Sequence, residues 1–289
     1  MKCVSYNIQY GLGMDGRYDL ERIAAEVADA DVIAMQEVDR FWQRSGMRDA
    51  PAVLADCLPG HHYVYGANLD MDASVTEAGR ILHRRKQFGT LILSRWPIIS
   101  SRNFPLPKFG DRRHHSVQQG MLEAVIDAPG IGPVRIYSVH LSHLSPAIRL
   151  PQVARMREIL TAAPSEGGAW CGGHPDPSSG WLEEPEPPMP TRWILMGDMN
   201  FLPVSAEYDA MVGGMAPRYG RLTNRMGPLD AWVLAGHDET SGVTYHGGDG
   251  RIDHCFVSGD MAGLVRSARI DDTAQGSDHW PLWVEFGAP

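Results

Sequence analysis

The chain has 289 residues, 43% hydrophobic, 21% charged and 8% aromatic, the make-up of a globular protein with a sizeable core. A formal net charge of −9 and only three lysines, Lys2, Lys86 and Lys108, argue against a protein that grips long nucleic acid through a basic field. No apolar run approaches the ~18 to 20 residues of a membrane span, so a transmembrane protein is excluded on the same footing.

Residues 2–7 read as a strand that begins at once, and "MKCVSYNIQYG" has no hydrophobic stretch with a small-residue cleavage site. Without an export signal, a cytoplasmic location and reduced cysteines are expected. Cys3, Cys57, Cys171 and Cys255 form no CxxC pair, and Cys3 and Cys255 lie in strand-like runs that suit buried thiols. Asp19 is placed to cap a helix in which Leu20, Ile23, Ala24 and Val27 recur at helical spacing. "DVIAMQEV" (31–38) is the next strand, followed by a short helix over 49–58. Strands are expected at 62–66, 88–94, 120–126 and 133–140, with 95–119 as a loop at the same end as the polar strand tips. Ser145-Pro146 looks like a helix start with the hydroxyl as cap, and Pro151 either kinks that helix or marks its true beginning.

Residues 163–190 are rich in Pro, Gly and Ser and lack periodicity, which reads as a loop insertion. It enters the 192–197 strand at its amino end, so the far rim is its expected place; Trp170 and Trp181 are candidates to anchor it. A helix near 205–212, a turn or short helix at 229–236, and strands at 251–257, 264–270 and 280–286 complete the chain. Many strands with interspersed helices favour a mixed or antiparallel sheet pair with helices packed outside.

The strands share a peculiarity. "WILMGDMNFLP" (193–203) is apolar until Asp198 and Asn200, which strand alternation would turn to one side. A turn explains this fragment by itself. Yet Asn7 ends the first strand, Glu37 the second and His140 a third, while Asp253 lies in "GRIDHCFVS" and Asp278-His279 precede the last strand. Buried carboxylates without a partner cost several kcal/mol, so converging strand ends would need a cation between them. Oxygen donors from Asn7, Glu37, Asp198, Asn200 and Asp278 make a hard-metal set suited to Mg²⁺, Mn²⁺ or Ca²⁺, and no HExxH zinc motif occurs.

The series "SYNIQYG", "MQEV", "GTLILSRWPI", "SVHLSH", "MGDMN", "RIDHCFVS" and "GSDHWPL" resembles the endonuclease/exonuclease/phosphatase superfamily in order and spacing from residue 4 to about 285. "LDAW" (229–232) and "NFLPVSAEY" (200–208) resemble its linking segments. The resemblance implies an α/β (α+β) fold, a four-layer α/β/β/α sandwich, and one domain over 1–289, against the two that length alone suggests. It implies a Mg²⁺-dependent phosphoesterase, with Mn²⁺ as the alternative ion, acting on a phosphate ester.

Carried over residue by residue, the resemblance makes Glu37 the main metal ligand, helped by Asn7 and Asp278. Asp198 would deprotonate the attacking water or bind a second metal. Asn200 would hold a phosphate oxygen, and His279, oriented by Asp253, the phosphoryl group. His140 would stabilise or protonate the leaving oxygen. Gln9 stands where many relatives carry an acid or histidine, which puts a second metal site in doubt, and His254 should face away from the site. "GRILHRRK" (79–86) and "DRRHH" (111–115) fit either solvated loops or a basic rim for an anionic substrate. Arg112, Arg113, His114 and His115 are therefore candidate substrate contacts. His61, His62, His83, His143, His174, His237 and His246 read as surface or core residues. A small or lipid-derived ester is favoured over DNA or RNA, a non-catalytic binding protein is the weaker rival, and nothing fixes the oligomeric state.

Overall fold

The computed structural model describes residues 1–287. In chain order its elements are β1 (Lys2–Asn7), α1 (Leu20–Val27), β2 (Val32–Arg40), α2 (Ala50–Cys57), β3 (His62–Asp72), β4 (Val75–Glu77), β5 (Arg80–Leu82), β6 (Arg85–Ser94) and β7 (Ile98–Pro105). There follow β8 (Gly120–Ala128), β9 (Gly132–His140), α3 (Pro146–Glu166), β10 (Trp193–Asp198), α4 (Ala206–Val212), β11 (Met215–Ala216), β12 (Gly220–Arg221) and β13 (Leu229–Asp230). The last elements are α5 (Ala231–Leu234), β14 (Asp253–Val257), β15 (Val265–Ile270) and β16 (Leu282–Phe286).

Two six-stranded sheets dominate, in the orders β15-β16-β1-β2-β6-β3 and β13-β14-β10-β9-β8-β7. Only β1 with β2 and β9 with β10 pair in parallel; the other pairings within the two sheets are antiparallel. Cys3, Val32 and Ile92 of the first sheet share one buried cluster with Ile136, Ile194 and Met196 of the second, so the sheets pack face to face. The outer face of the first sheet packs on α1 and α2 through Ile23, Val27 and Leu54, and that of the second on α3 and α4 through Met156, Leu160 and Met211. That is the expected α/β/β/α sandwich. The first strand lies beside the last, so both ends of the described chain build the same sheet.

Local chemistry explains most boundaries. The Asp19 side chain accepts from Arg22 N at 2.9 Å, and Leu20, Ile23, Ala24 and Val27 are the buried face of α1, as the spacing requires. The α3 helix starts at Pro146 and runs on through Pro151, at the loss of one backbone bond, while the Ser145 hydroxyl makes no capping bond. The Pro/Gly-rich loop therefore starts after Glu166, not at 163. Trp181 is 75% exposed, whereas Trp170 is half-buried, and the two line one shallow cavity within the loop.

The main correction concerns 95–119. Ile98–Pro105 is an edge strand, alternately half-buried and exposed, that pairs with β8 and carries the chain from one rim of the sandwich to the other. Only 106–119 remains as loop beside the polar strand tips. Of residues 79–86, read as either solvated loop charge or a basic rim, Arg80–Leu82 pairs with Val75–Glu77 in the β4–β5 hairpin, and Arg85 and Lys86 open β6. Cys3 and Cys255 are buried free thiols, and burial pushes both thiols up. Among the described residues, no helix is long and apolar enough to cross a membrane.

Candidate active site

Register brings the polar strand ends together. In the second sheet His140 of β9 is opposite Asp198 of β10, and Asp198 is opposite Asp253 of β14, so three functional groups stand in one row across three strands. In the first sheet Asn7 closes β1 opposite Gln36. Glu37 does not end β2 as expected; the strand continues to Arg40. Instead the β2–β6 register slips between Met35 and Val38, a β-bulge, and Glu37 sits there with φ +58°. A glutamate in the left-handed region stores strain of order 1–3 kcal/mol, which the flanking ladder must hold. The bulge re-aims the side chain out of the strand toward the second sheet.

Asn7 joins the rows, its Nδ2 donating to Asp198 Oδ2 at 3.0 Å and to Glu37 Oε1 at 3.3 Å. Behind it, fully buried Gln36 donates to Ser138 Oγ at 3.0 Å, a second bridge between the sheets that sequence reasoning missed. His140 Nε2 lies 3.5 Å from Asp198 Oδ2 and 4.0 Å from Glu37 Oε1. The 277–279 segment completes the set: His279 Nδ1 is 2.8 Å from Asp253 Oδ2, its Nε2 is 3.8 Å from Asp198 Oδ2, and Ser277 Oγ accepts from the His279 amide. The ring of Tyr245 packs on His279 at 5.1 Å.

Asn200 differs from its expected placement. The strand ends at Asp198, and Asn200 lies beyond it with φ +53°, so alternation no longer governs its side chain. Its backbone N–H donates to Asp198 Oδ1 at 2.9 Å and its Nδ2 to the Leu141 carbonyl at 3.0 Å. In this conformation Asn200 fixes the rotamer of Asp198.

The electrostatics follow from burial. Asp198 is 2% exposed, and burial pushes its carboxyl above the ordinary range; His279 opposes this and Asp253 adds to it. Burial likewise raises Asp278, with His279 opposing and Glu37 adding. For His279 burial favours the neutral ring, but Asp253 and Asp198 together overcome it and bring the imidazole up to about 10. His279 is thus an imidazolium at neutral pH, and both ring nitrogens donate.

A hard cation suits this donor set. Two raised carboxyl groups and a buried Asp253 Oδ1 without a partner mark a site with negative charge to spare. The Asn7 amide already sits between Glu37 and Asp198 as a cation would. Among the described residues no group of three or more His, Cys, Asp or Glu is placed to hold a metal ion by itself. Gln9 Nε2 donates to Asp278 Oδ2 at 2.7 Å, so a neutral amide, not a second acid, faces that carboxylate.

A cavity of 290 Å³ opens beside Glu37 and His140, with Tyr10, Trp42, Arg44 and Phe88 in its wall. His115 and His143 also line it, so His115 keeps its candidacy and His143, expected as an ordinary surface or core residue, joins the site. His114 turns to Asp111, with Nδ1 2.9 Å from Oδ1, and Arg112 and Arg113 are exposed outside the lining. The aromatic wall was missed because "FWQRS" follows the strand as an ordinary-looking turn. His254 faces away, between Arg251 and the Phe201 carbonyl. A cavity of equal volume at the opposite rim, near Arg157 and Asn224, contains none of the converging groups.

The family model described as the Endonuclease/Exonuclease/phosphatase family matches residues 4–279. No curated protein matches the chain in sequence. Among solved structures it is similar to an endonuclease/exonuclease/phosphatase from Beutenbergia cavernae, at 20% identity and TM-score 0.67, covering 100% of this chain and 72% of that one. One from Bacteroides vulgatus gives 17% identity, TM-score 0.67 and coverage of 100% and 98%. A 3′-5′ exonuclease from Neisseria meningitidis gives 18%, 0.57 and 99% of both chains. At such identities the structural likeness is one of fold, while the family match spans nearly the whole sequence. The chain therefore belongs to the endonuclease/exonuclease/phosphatase family.

Proposed function

We propose that the protein is a divalent-metal-dependent phosphoesterase, a single catalytic domain that hydrolyses a small or lipid-derived phosphate ester. The observation that carries the reading is the meeting of Asn7, Glu37, His140, Asp198 and His279 within 4 Å contacts from elements spread over the chain. Glu37 and Asp278 would hold the ion, Mg²⁺ or Mn²⁺, with Asn7 joining through its amide oxygen once the amide turns over, since its Nδ2 faces Glu37 and Asp198 in this structure and its Oδ1 accepts from the Gln9 amide. The ion would neutralise charge on the phosphoryl oxygens.

The protein groups do the rest. Asp198, with its pKa raised and its rotamer fixed by the Asn200 amide, takes a proton from water as that water attacks phosphorus in line with the leaving oxygen. His279, charged and backed by Asp253, donates Nε2–H to a phosphoryl oxygen and meets developing negative charge without reorganising. Asn200 would offer its remaining amide hydrogen to another phosphoryl oxygen. His140 donates to the departing oxygen, which leaves as the alcohol. The phosphate product carries away the oxygen of the attacking water.

The exonuclease neighbour raises a nuclease as the second reading. The charge of −9 and a compact cavity in place of a basic groove favour the small ester. Asp198→Asn preserves shape and removes the base, so hydrolysis of an aryl phosphodiester in Mg²⁺ should fall by about 10²- to 10⁴-fold. Turnover unchanged from wild type would refute the assigned role. Affinity for an oligonucleotide that drops steeply with salt would favour the nuclease reading.

A further inference from the structure

Arg44 is a permanently charged side chain in the cavity wall that the hydrolytic mechanism does not use. Its guanidinium carbon lies 3.9 Å from the Tyr10 ring centroid, 4.4 Å from Trp42 and 5.5 Å from Phe88. Its Nε is 3.3 Å from Asp39 Oδ2, and Asp39 is itself held by Ser45 Oγ, 3.0 Å from each carboxylate oxygen. Stacking and the Nε contact fix the plane of the group. Its two Nη atoms have no hydrogen-bond partner among the described residues. A guanidinium packed against aromatic rings and held through Nε, in the wall of a cavity and with neither Nη hydrogen-bonded among the described residues, is a prepared fork for a carboxylate or phosphate.

We propose that Arg44 reads a second anionic group on the substrate, so that the enzyme prefers a small phosphate ester carrying another carboxylate or phosphate on its alcohol part. The proposal rests on the phosphoesterase reading, because it places the scissile phosphate beside Glu37 and His140 in the same cavity. Three features set the class. The 290 Å³ volume is at the lower end of small-molecule pockets, about 300–1,000 Å³. Arg44 is the only arginine in the lining, with no lysine, which suits one extra anion rather than a run of phosphates. Leu69, Phe88 and Val117 supply apolar wall for the atoms between the two anionic ends.

The test is binding of inert phosphonates in the presence of Mg²⁺, read by calorimetry, so it does not depend on turnover. Benzylphosphonate is compared with 4-carboxybenzylphosphonate on the wild type, Arg44→Gln and Arg44→Lys. The wild type should bind the carboxylated probe about tenfold more tightly or better, the scale of one bidentate charged contact. Arg44→Gln should bring the ratio near one, and Arg44→Lys, a point charge without the fork, should keep only part of it. Equal affinities on the wild type, or a preference that survives in Arg44→Gln, would overturn the proposal. If Arg44→Gln fails to fold, the wild-type ratio and the Lys variant decide. Displacement of the carboxylated probe by equimolar tetrathymidylate would overturn the small-molecule assignment. Failure to hydrolyse any ester with the binding preference intact would count against the phosphoesterase reading alone.

Discussion

Asp253→Asn isolates the charge behind His279. The substitution keeps an oxygen acceptor at the 2.8 Å contact with Nδ1 and removes the negative charge that most raises the imidazole. Holding the ring charged up to about 10, against an ordinary 6.5, amounts to about 5 kcal/mol of preference for the imidazolium as an upper bound. Burial acts the other way, so without Asp253 the ring at neutral pH shifts toward its neutral form. Losing a charged donor aimed at the phosphoryl oxygens costs about 10²- to 10³-fold in kcat. The pH dependence gives the sign. In the wild type the carboxylates around His279 hold its proton to more alkaline pH than an ordinary imidazole would keep it, whereas in the variant the alkaline fall in activity should move toward neutrality. The assay is kcat against pH for an aryl phosphate ester at saturating Mg²⁺. A variant with kcat within about threefold of wild type and an unmoved alkaline limb would refute the charge argument.

Two further outcomes concern stability. His254 accepts from Arg251 on Nδ1, so its proton is on Nε2, which donates to the Phe201 carbonyl; burial first, then Arg251, holds its pKa well below 6.5. A depressed folded pKa means stability is intact above the unfolded value near 6.5 and is lost as pH falls below it. Urea unfolding at pH 7.5 and 5.5 should show that loss, and His254→Phe should shrink it while lowering stability at both; an identical pH slope in the variant would speak against it. Gly197 lies where a Cβ would meet the Val139 carbonyl oxygen at 1.9 Å, a clash between adjacent strands with nothing flexible to yield. Gly197→Ala should cost about 3 kcal/mol or more by denaturant titration. A cost under about 1 kcal/mol would mean that the β9–β10 pair tolerates a local shift.

The sequence shows the site's membership more clearly than its geometry. Asn7, His140, Asp198 and Asp253 are legible because each closes or opens an apolar strand, and register alone then aligns them. The bulge at Glu37 is not, since a left-handed glutamate leaves no mark in a string that reads as plain strand, "VIAMQEVDR". Strand alternation failed for Asn200 for the same reason: it stops applying one residue after Asp198. The edge strand β7 was hidden because "IISSRNFP" alternates into solvent and looks like polar loop. Arg44 stacks on Tyr10 and Phe88, far from it in sequence, and no local pattern encodes contacts of that kind.

Calorimetric titration of Mg²⁺ and Mn²⁺ into the wild type and Glu37→Ala, with hydrolysis followed in the same samples, bears most directly on whether these groups gather around one hard cation. The wild type should bind one such ion and hydrolyse an aryl phosphate ester, and Glu37→Ala should need far more metal for either. An unaltered metal requirement in Glu37→Ala, or hydrolysis indifferent to chelation of divalent ions, would contradict the account.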